Sequence, residues 1–275
     1  MGSPPRRQCC YLLEWTDPDE DDAGLGLDEH IENVISPAID AVLQGAGRRQ
    51  TFLAGHSLGG TLAAIASAIQ PDRVGGLILI EAPLHFGPEA GALAPMFEMT
   101  MRWPAAGFGQ RLIPGSFLTL SAVLASPDAF LVAPWFDWLS STGSHAAVVH
   151  LCVQKWVEDE LAMPGQLAID IGDQLYRDDR FAVGTLTIGG KPISPDPLSR
   201  IPTLAVIEPS SRLVPRGSAL GIFATMPKRA LHVFRYRKEV GVAVQHVGAL
   251  VGRRAHRLLW PKILDWMTMQ SETLD

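Results

Sequence analysis

Cysteine is scarce in this sequence, and no group of residues has the spacing of a metal site. The 275-residue chain contains only Cys9, Cys10 and Cys152, which argues against a disulfide framework and favours a reducing compartment. Pairs of the C-x-x-C kind and clusters of histidine with carboxylate are absent. The chain also lacks a G-x-G-x-x-G fingerprint and a Walker phosphate loop. We therefore expect no metal and no cofactor.

Long basic runs and long apolar runs are also missing. The net charge is −6, which argues against a nucleic-acid partner. No window holds about 18 apolar residues without a charge or a proline, so no membrane span is expected. The first residues do not resemble a signal peptide. These features predict a cytoplasmic protein, and none of them assigns an oligomeric state.

What the chain does contain is an alternation of apolar runs with helical patterns. Continuous apolar runs indicate buried strands of a parallel sheet, and the intervening periodicity indicates helices on both faces. The sequence thus predicts an α/β fold with a mostly parallel sheet. The predicted strands are 9–14, 51–54, 74–80, 203–207 and 231–234, and the predicted helices include 28–44, 61–69 and 253–267.

The middle of the chain has a different character. Residues 88–181 are rich in proline, tryptophan, methionine and phenylalanine and show no clear strand pattern. We interpret them as an inserted helical cap, or lid, with helical stretches near 118–124 and 148–161. The core is then divided into a first part, residues 1–87, and a second part, residues 182–275.

A strand-to-helix turn carries the most specific motif. Gly55-His56-Ser57-Leu58-Gly59 fits G-x-S-x-G, and it resembles the nucleophile elbow of α/β-hydrolases. On such a turn the serine is exposed to a substrate, and glycines two positions away on either side are expected to prevent collisions. Ser57 is therefore the predicted nucleophile, and the amide of Leu58 the predicted oxyanion donor. The alternative is a tightly packed turn without chemistry.

Histidines supply the predicted base and two residues of the pocket. In hydrolases with this elbow the base follows the last strand, and His246 occupies that place. His56, next to the nucleophile, is predicted to line the substrate pocket rather than to act as the base. His85, which follows a strand end, is a second predicted substrate-binding residue.

The acid that would orient His246 has more than one candidate. Its expected place is just after the strand 203–207, where Glu208 is the nearest carboxylate. Glu208 is therefore the preferred acid. Glu81, at the end of the preceding strand, is an alternative that the same geometry allows. A dyad without an acid is the third possibility.

The order of these features resembles the catalytic domain of polyhydroxyalkanoate synthases, within the α/β-hydrolase superfamily. The similar segments are residues 11–15, 163–165, 175–181, 185–191, 201–204, 246–252 and 260–266. The resemblance implies an acyl-transfer enzyme that uses no cofactor and acts on hydroxyacyl thioesters such as acyl-coenzyme A.

This chain departs from the family at four points. Ser57 replaces the family's cysteine, Ser211 occupies the family's acid position, and His85 replaces an aspartate. A thiolate suits repeated acyl exchange, whereas a serine ester is commonly resolved by water. The strand that normally precedes 9–14, and whose loop supplies a second oxyanion donor, is also missing from the sequence. Either 9–14 takes its place, or the chain is an N-terminally shortened version.

Three functions remain open on this basis. The leading hypothesis is a serine hydrolase that acts on carboxylic esters or thioesters, including hydroxyacyl substrates, through an acyl-enzyme. The second is a polyhydroxyalkanoate synthase-like acyltransferase that uses hydroxyacyl-coenzyme A. The third is a shortened, non-catalytic relative.

Overall fold

A computed structural model of the chain describes residues 9–100, 107–141, 143–224, 226 and 231–272. Within them the strands are β1 (Thr51–His56), β2 (Val74–Ile80), β3 (Leu112–Ile113), β4 (Met163–Pro164), β5 (Leu186–Ile188), β6 (Lys191–Ile193), β7 (Thr203–Ile207) and β8 (Leu231–Arg235). The α-helices are α1 (Leu27–Glu29), α2 (Ser36–Ala46), α3 (Leu58–Ile69), α4 (Ala94–Thr100), α5 (Gly115–Ala125), α6 (Ala133–Ser140), α7 (Ser144–Glu158), α8 (Gly165–Asp170), α9 (Arg216–Leu220), α10 (Gly248–Val251) and α11 (Trp260–Ser271).

Four strands form the central sheet, in the order β1-β2-β7-β8, and every neighbouring pair is parallel. The register places His56 beside Ile80, and Ile80 beside Val206. Because parallel strands end at the same edge of a sheet, the residues that directly follow β1, β2 and β7 lie near one another. Those residues are Ser57, Glu81 and Glu208.

Helices cover both faces of this sheet, which confirms the predicted α/β architecture. All seven residues of β2 and all five of β7 are buried. Successive side chains of a strand point to opposite faces. Leu77 and Leu79 accordingly join a cluster with residues of α2 and α3, whereas Ile78 and Ile80 pack with Trp266 of α11.

The predicted strand at 9–14 is wrong. These residues form no strand and are exposed, and Leu12 is 87% exposed. A short apolar run becomes a strand only where a neighbouring strand accepts its backbone hydrogen bonds and a second layer covers its side chains, and this run has neither. Residues 9–14 therefore do not fill the place beside β1. In the described part of the chain, β1 has a strand on one side only.

The described residues between 88 and 181 are mainly helical, and we call this segment the helical insertion (residues 88–181). It contains α4 to α8, together with a two-residue pairing of β3 with β4 that the sequence does not predict. None of the described helices is by itself long and apolar enough to cross a membrane. Gly115–Ala125 and Asp128–Ser140 meet that description only when taken together, and the chain bends by 106° between them. The boundaries at 88 and 181 stay a prediction.

Candidate active site

Ser57 lies on a strained turn between β1 and α3. Its backbone angles are φ 52° and ψ −128°, in a region that residues with a side chain rarely adopt. The turn is held by the Ser57 N–H, which donates to the Ile80 oxygen over 3.0 Å, and by the Ser57 oxygen, which accepts from Gly60 and Thr61. The N–H of Leu58 begins α3 and so has no acceptor within its own helix, which leaves it available to an anion.

The glycines around Ser57 do not all serve the same purpose. A side chain at Gly55 would collide with the backbone of Gly59, and one at Gly60 would collide with Ala82. A side chain at Gly59 itself would meet nothing within 4 Å. The expected steric need for glycine therefore holds at Gly55 but is wrong at Gly59. Gly60 is the second crowded position because α3 approaches the end of β2 there.

His246 lies at the same edge of the sheet, in the turn Gln245–Val247 that follows β8. Its ring packs against the ring of His56, with the two ring centroids 4.6 Å apart. Nε2 of His56 also donates to the backbone oxygen of His246 over 3.0 Å. Since His56 is the chain neighbour of Ser57, these contacts bring the predicted base close to the elbow.

Glu81, directly after β2, is the carboxylate that faces His246. Its Oε2 lies 3.8 Å from Nδ1 of His246, and its side chain is only 2% exposed. Both atoms are buried, and neither has a hydrogen-bond partner among the described residues. The other oxygen of Glu81 accepts the backbone N–H of Glu208, and Ser211 hydrogen-bonds to the same carboxyl group. Two buried polar atoms without partners thus point at each other.

Glu208 is turned towards its own loop instead. Its Oε1 accepts from the backbone N–H of Ser210 over 3.0 Å and from the Ser210 hydroxyl over 2.7 Å. It hydrogen-bonds Glu81 through its backbone N–H, and its negative charge contributes to the raised pKa of Glu81. Its described contacts are therefore those of a residue that stabilises the turn after β7.

Burial dominates the titration of the site, because removing water disfavours every charged form. It lowers the pKa of His246 to about 4, and together with the nearby His246 it lowers the pKa of His56 to about 3. Burial also raises the pKa of the Glu81 carboxyl to about 8, against the opposing effect of the hydrogen bond from the Glu208 amide. At pH 7 both rings are neutral, and Glu81 is mostly protonated.

Backbone strain is concentrated around the same residues. Among the described residues, the non-glycines with positive φ are Ser57 at 52°, Glu81 at 47°, Asp179 at 49° and Ala243 at 52°. Three of them are the elbow serine, the carboxylate that faces His246, and a residue in the loop before His246. Such conformations cost of order 1–3 kcal/mol each and persist where the surrounding structure holds them.

The two predicted pocket histidines have different surroundings. His56 is held between the elbow and the backbone of His246, as described above. His85 is 36% exposed, and its Nδ1 lies 2.6 Å from Oδ2 of Asp179. Asp179 also accepts the backbone N–H of Phe86. The sequence does not predict this pairing, which joins the segment after β2 to the end of the helical insertion. Substrate binding by His56 and His85 stays a prediction.

The part of the chain that contains the elbow matches a known family. A family model described as the alpha/beta hydrolase fold matches residues 4–156. The chain belongs to the α/β-hydrolase fold family.

Curated relatives and a solved structure add detail to the family. The chain is 25% identical over 267 residues to the poly(3-hydroxyalkanoate) polymerase subunit PhaC of Haloferax mediterranei, covering 96% of this chain and 52% of that protein. It is 22% identical over 265 residues to the protein of the same name from Haloarcula marismortui, covering 95% and 54%. The chain thus spans about half the length of these two relatives. The crystal structure of esterase E22 shares the fold, with a TM-score of 0.50, 14% identity, and coverage of 83% of this chain and 65% of that chain.

Proposed function

We propose that the chain is a serine-nucleophile acyl-transfer enzyme in which Ser57 attacks, His246 is the base and Glu81 is the acid. The observation that carries the proposal is the pair of buried, unpartnered atoms, His246 Nδ1 and Glu81 Oε2, 3.8 Å apart beside the elbow. A buried polar atom without a partner is costly, so this arrangement persists for a reason. We infer that the reason is catalytic: the Glu81 carboxylate orients the His246 imidazole.

The first half of the reaction forms an acyl-enzyme. Oγ of Ser57 attacks the carbonyl carbon while its proton passes to Nε2 of His246. The carbonyl electron pair moves onto oxygen, and the N–H of Leu58 stabilises the resulting oxyanion. Collapse of this intermediate breaks the bond to the alcohol or thiol, which leaves with the proton from His246. Ionised Glu81 accepts a hydrogen bond from Nδ1–H and stabilises the imidazolium.

The second half transfers the acyl group to an acceptor. Water or an alcohol gives its proton to Nε2 of His246 and attacks the ester carbon, and Ser57 Oγ leaves with that proton. Because Ser57 forms an oxygen ester, we propose water as the acceptor and a carboxylic acid as the product. The substrate class is a carboxylic ester or thioester, and hydroxyacyl thioesters are included because the relatives are named poly(3-hydroxyalkanoate) polymerases.

Those relatives also support a second candidate. Similarity at 22–25% identity over 95–96% of this chain favours an acyltransferase that passes the acyl group to the hydroxyl of another hydroxyacyl unit. The two candidates share Ser57 and His246 and differ only in the acceptor.

Labelling and product analysis together test both candidates. A fluorophosphonate probe should label wild-type protein at Ser57 and leave folded Ser57→Ala unlabelled. With a 3-hydroxybutyryl thioester, free acid in proportion to released thiol supports the hydrolase, whereas oligomers support the acyltransferase. Folded wild-type protein that is neither labelled nor active would contradict both and favour a non-catalytic relative.

A further inference from the structure

The loop that leads to His246 is held by a carboxylate from the helical insertion. Asp137, in α6, accepts the backbone N–H of Gly241 on Oδ1 over 2.8 Å and the backbone N–H of Ala243 on Oδ2 over 2.9 Å. Ala243 precedes His246 by three residues and has a positive φ of 52°. One side chain therefore sets the path of the backbone just before the base.

Asp137 is itself fixed from a second helix. Nδ1 of His150, in α7, donates to Oδ2 of Asp137 over 2.8 Å. Asp137 is 7% exposed and His150 is 3% exposed, so water does not compete for these bonds. A buried carboxylate is stable only when its oxygens are satisfied. Here two loop amides and one imidazole satisfy them, so loop and carboxylate depend on each other.

Apolar packing attaches the same loop to the helical insertion. Val153 of α7 forms a buried cluster with Ala243, Val244 and Val247, the last being the residue after His246. A side chain at Gly241 would collide with Ala146 of α7, so the loop touches that helix closely. The helical insertion therefore holds the loop on one side. On the other side, His56 and Glu81 at the edge of the sheet lie next to His246.

We propose that Asp137 is a positioning residue that fixes His246 against Ser57 and Glu81 through the loop 241–243, and that His150 fixes Asp137. The inference rests on the proposed function, since it assigns a task to the helical insertion in that reaction. Asp137 does not touch the base, yet a displacement of about 1 Å in a reacting group can cost about 100-fold in rate. The position of the helical insertion is thereby coupled to that of the base.

Asp137→Asn tests this directly. The asparagine amide has one acceptor oxygen and turns an NH₂ group towards one of the loop amides, so one loop bond is lost. We expect the rate of Ser57 labelling by a fluorophosphonate to fall 10- to 100-fold. We also expect kcat to fall with KM nearly unchanged, because Asp137 is buried and its described hydrogen bonds go to the loop and to His150. Thr119→Val is the control for a hydrogen bond lost elsewhere in the insertion, since the Thr119 hydroxyl bonds Glu160 and the Val157 oxygen. It should label within about twofold of wild type.

Two further readouts separate positioning from general destabilisation. All assays run well below the unfolding midpoint of each variant. Amide exchange at Gly241 and Ala243 should accelerate in Asp137→Asn while exchange in β2 stays slow. The midpoint of the kcat/KM profile should move downwards, because a loosened loop lets water reach the site and weakens the burial that raises the pKa of Glu81 to about 8. Labelling at the wild-type rate in folded Asp137→Asn would overturn the proposal.

His150 variants keep the test valid even if Asp137→Asn does not fold. His150→Gln keeps an N–H donor for Asp137 and should retain most of the wild-type labelling rate. His150→Phe removes the donor and should lower the labelling rate 5- to 50-fold. Equal rates in the two variants would contradict the role of His150. If wild-type protein is not labelled at all, the proposed function fails, yet the exchange measurement still decides whether Asp137 holds the loop.

Discussion

Replacing Glu81 with glutamine separates the charge of this side chain from its shape. Glutamine keeps an oxygen that accepts the Glu208 amide, as Oε1 of Glu81 does. Its NH₂ group then takes the place of Oε2 and donates to Nδ1 of His246, which puts the ring proton on Nε2. In that tautomer the imidazole cannot accept the proton of Ser57. We therefore expect kcat to fall by about 10³- to 10⁴-fold.

The same substitution should stabilise the protein, but only at high pH. Unfolded Glu81 releases its proton near 4.5, whereas the folded protein retains it until about 8. Between these values the folded state binds more protons, so wild-type stability falls as pH rises. The difference between these two pKa values corresponds to about 3 to 5 kcal/mol in the free energy of unfolding. Glu81→Gln should match wild type at pH 4.5 and exceed it by about that amount at pH 9.

Urea unfolding at pH 4.5, 7 and 9 measures the stability, and ester turnover measures the activity. Glu208→Gln is the matched control, because glutamine retains the oxygen that accepts both hydrogen bonds from Ser210. It should change the free energy of unfolding by less than about 1 kcal/mol and leave kcat within a few-fold. A fully active Glu81→Gln, or an inactive but folded Glu208→Gln, would refute the choice of Glu81.

Three further predictions concern the same edge of the sheet. The kcat/KM of wild type should rise with pH through a midpoint near 8, because burial raises the pKa of Glu81 to about 8 and only the ionised carboxylate can accept Nδ1–H of His246 and leave Nε2 free to take the proton of Ser57. A midpoint at or below pH 6.5 would contradict this. Gly55→Ala should lower the free energy of unfolding by about 1 to 3 kcal/mol through overpacking, whereas Gly59→Ala should be neutral or stabilising by up to about 1 kcal/mol. Chemical denaturation measures both free energies, and an equal loss in the two variants would mean that Gly55 is not the more crowded position. His56→Phe should slow Ser57 labelling about 10-fold, whereas His56→Gln should slow it less because it retains an N–H donor for the His246 oxygen. Stopped-flow labelling measures both rates, and the opposite order would exclude a role for this hydrogen bond.

Local patterns were sufficient for the regular parts of the core. The apolar runs at 74–80 and 203–207 coincide with β2 and β7, because a strand buried on both faces needs an apolar side chain at nearly every position. The same reasoning failed at 9–14, where an apolar run has no strand beside it. Composition cannot distinguish these cases, since they differ in whether the folded chain places another strand beside the apolar run.

The choice of acid shows the same limit at the level of one side chain. Glu81 and Glu208 both directly follow parallel strands, so the strand pattern brings both close to His246. Their directions differ because Glu81 has a positive φ of 47° and lies against His246, whereas Glu208 is bonded within its own turn. The role of Asp137 depends on a contact between residues about 105 positions apart, and no local pattern predicts it.

The amino-acid sequence by itself determined the class of fold, the position of the serine turn and the histidine after the last strand. Those features depend on periodicity and on turn chemistry, which act over a few residues. Tertiary structure decided which carboxylate faces the histidine, which glycines are crowded, and which helix holds the loop of the base. Those outcomes depend on side-chain direction and on distances across the fold, which are set only when the whole chain has packed.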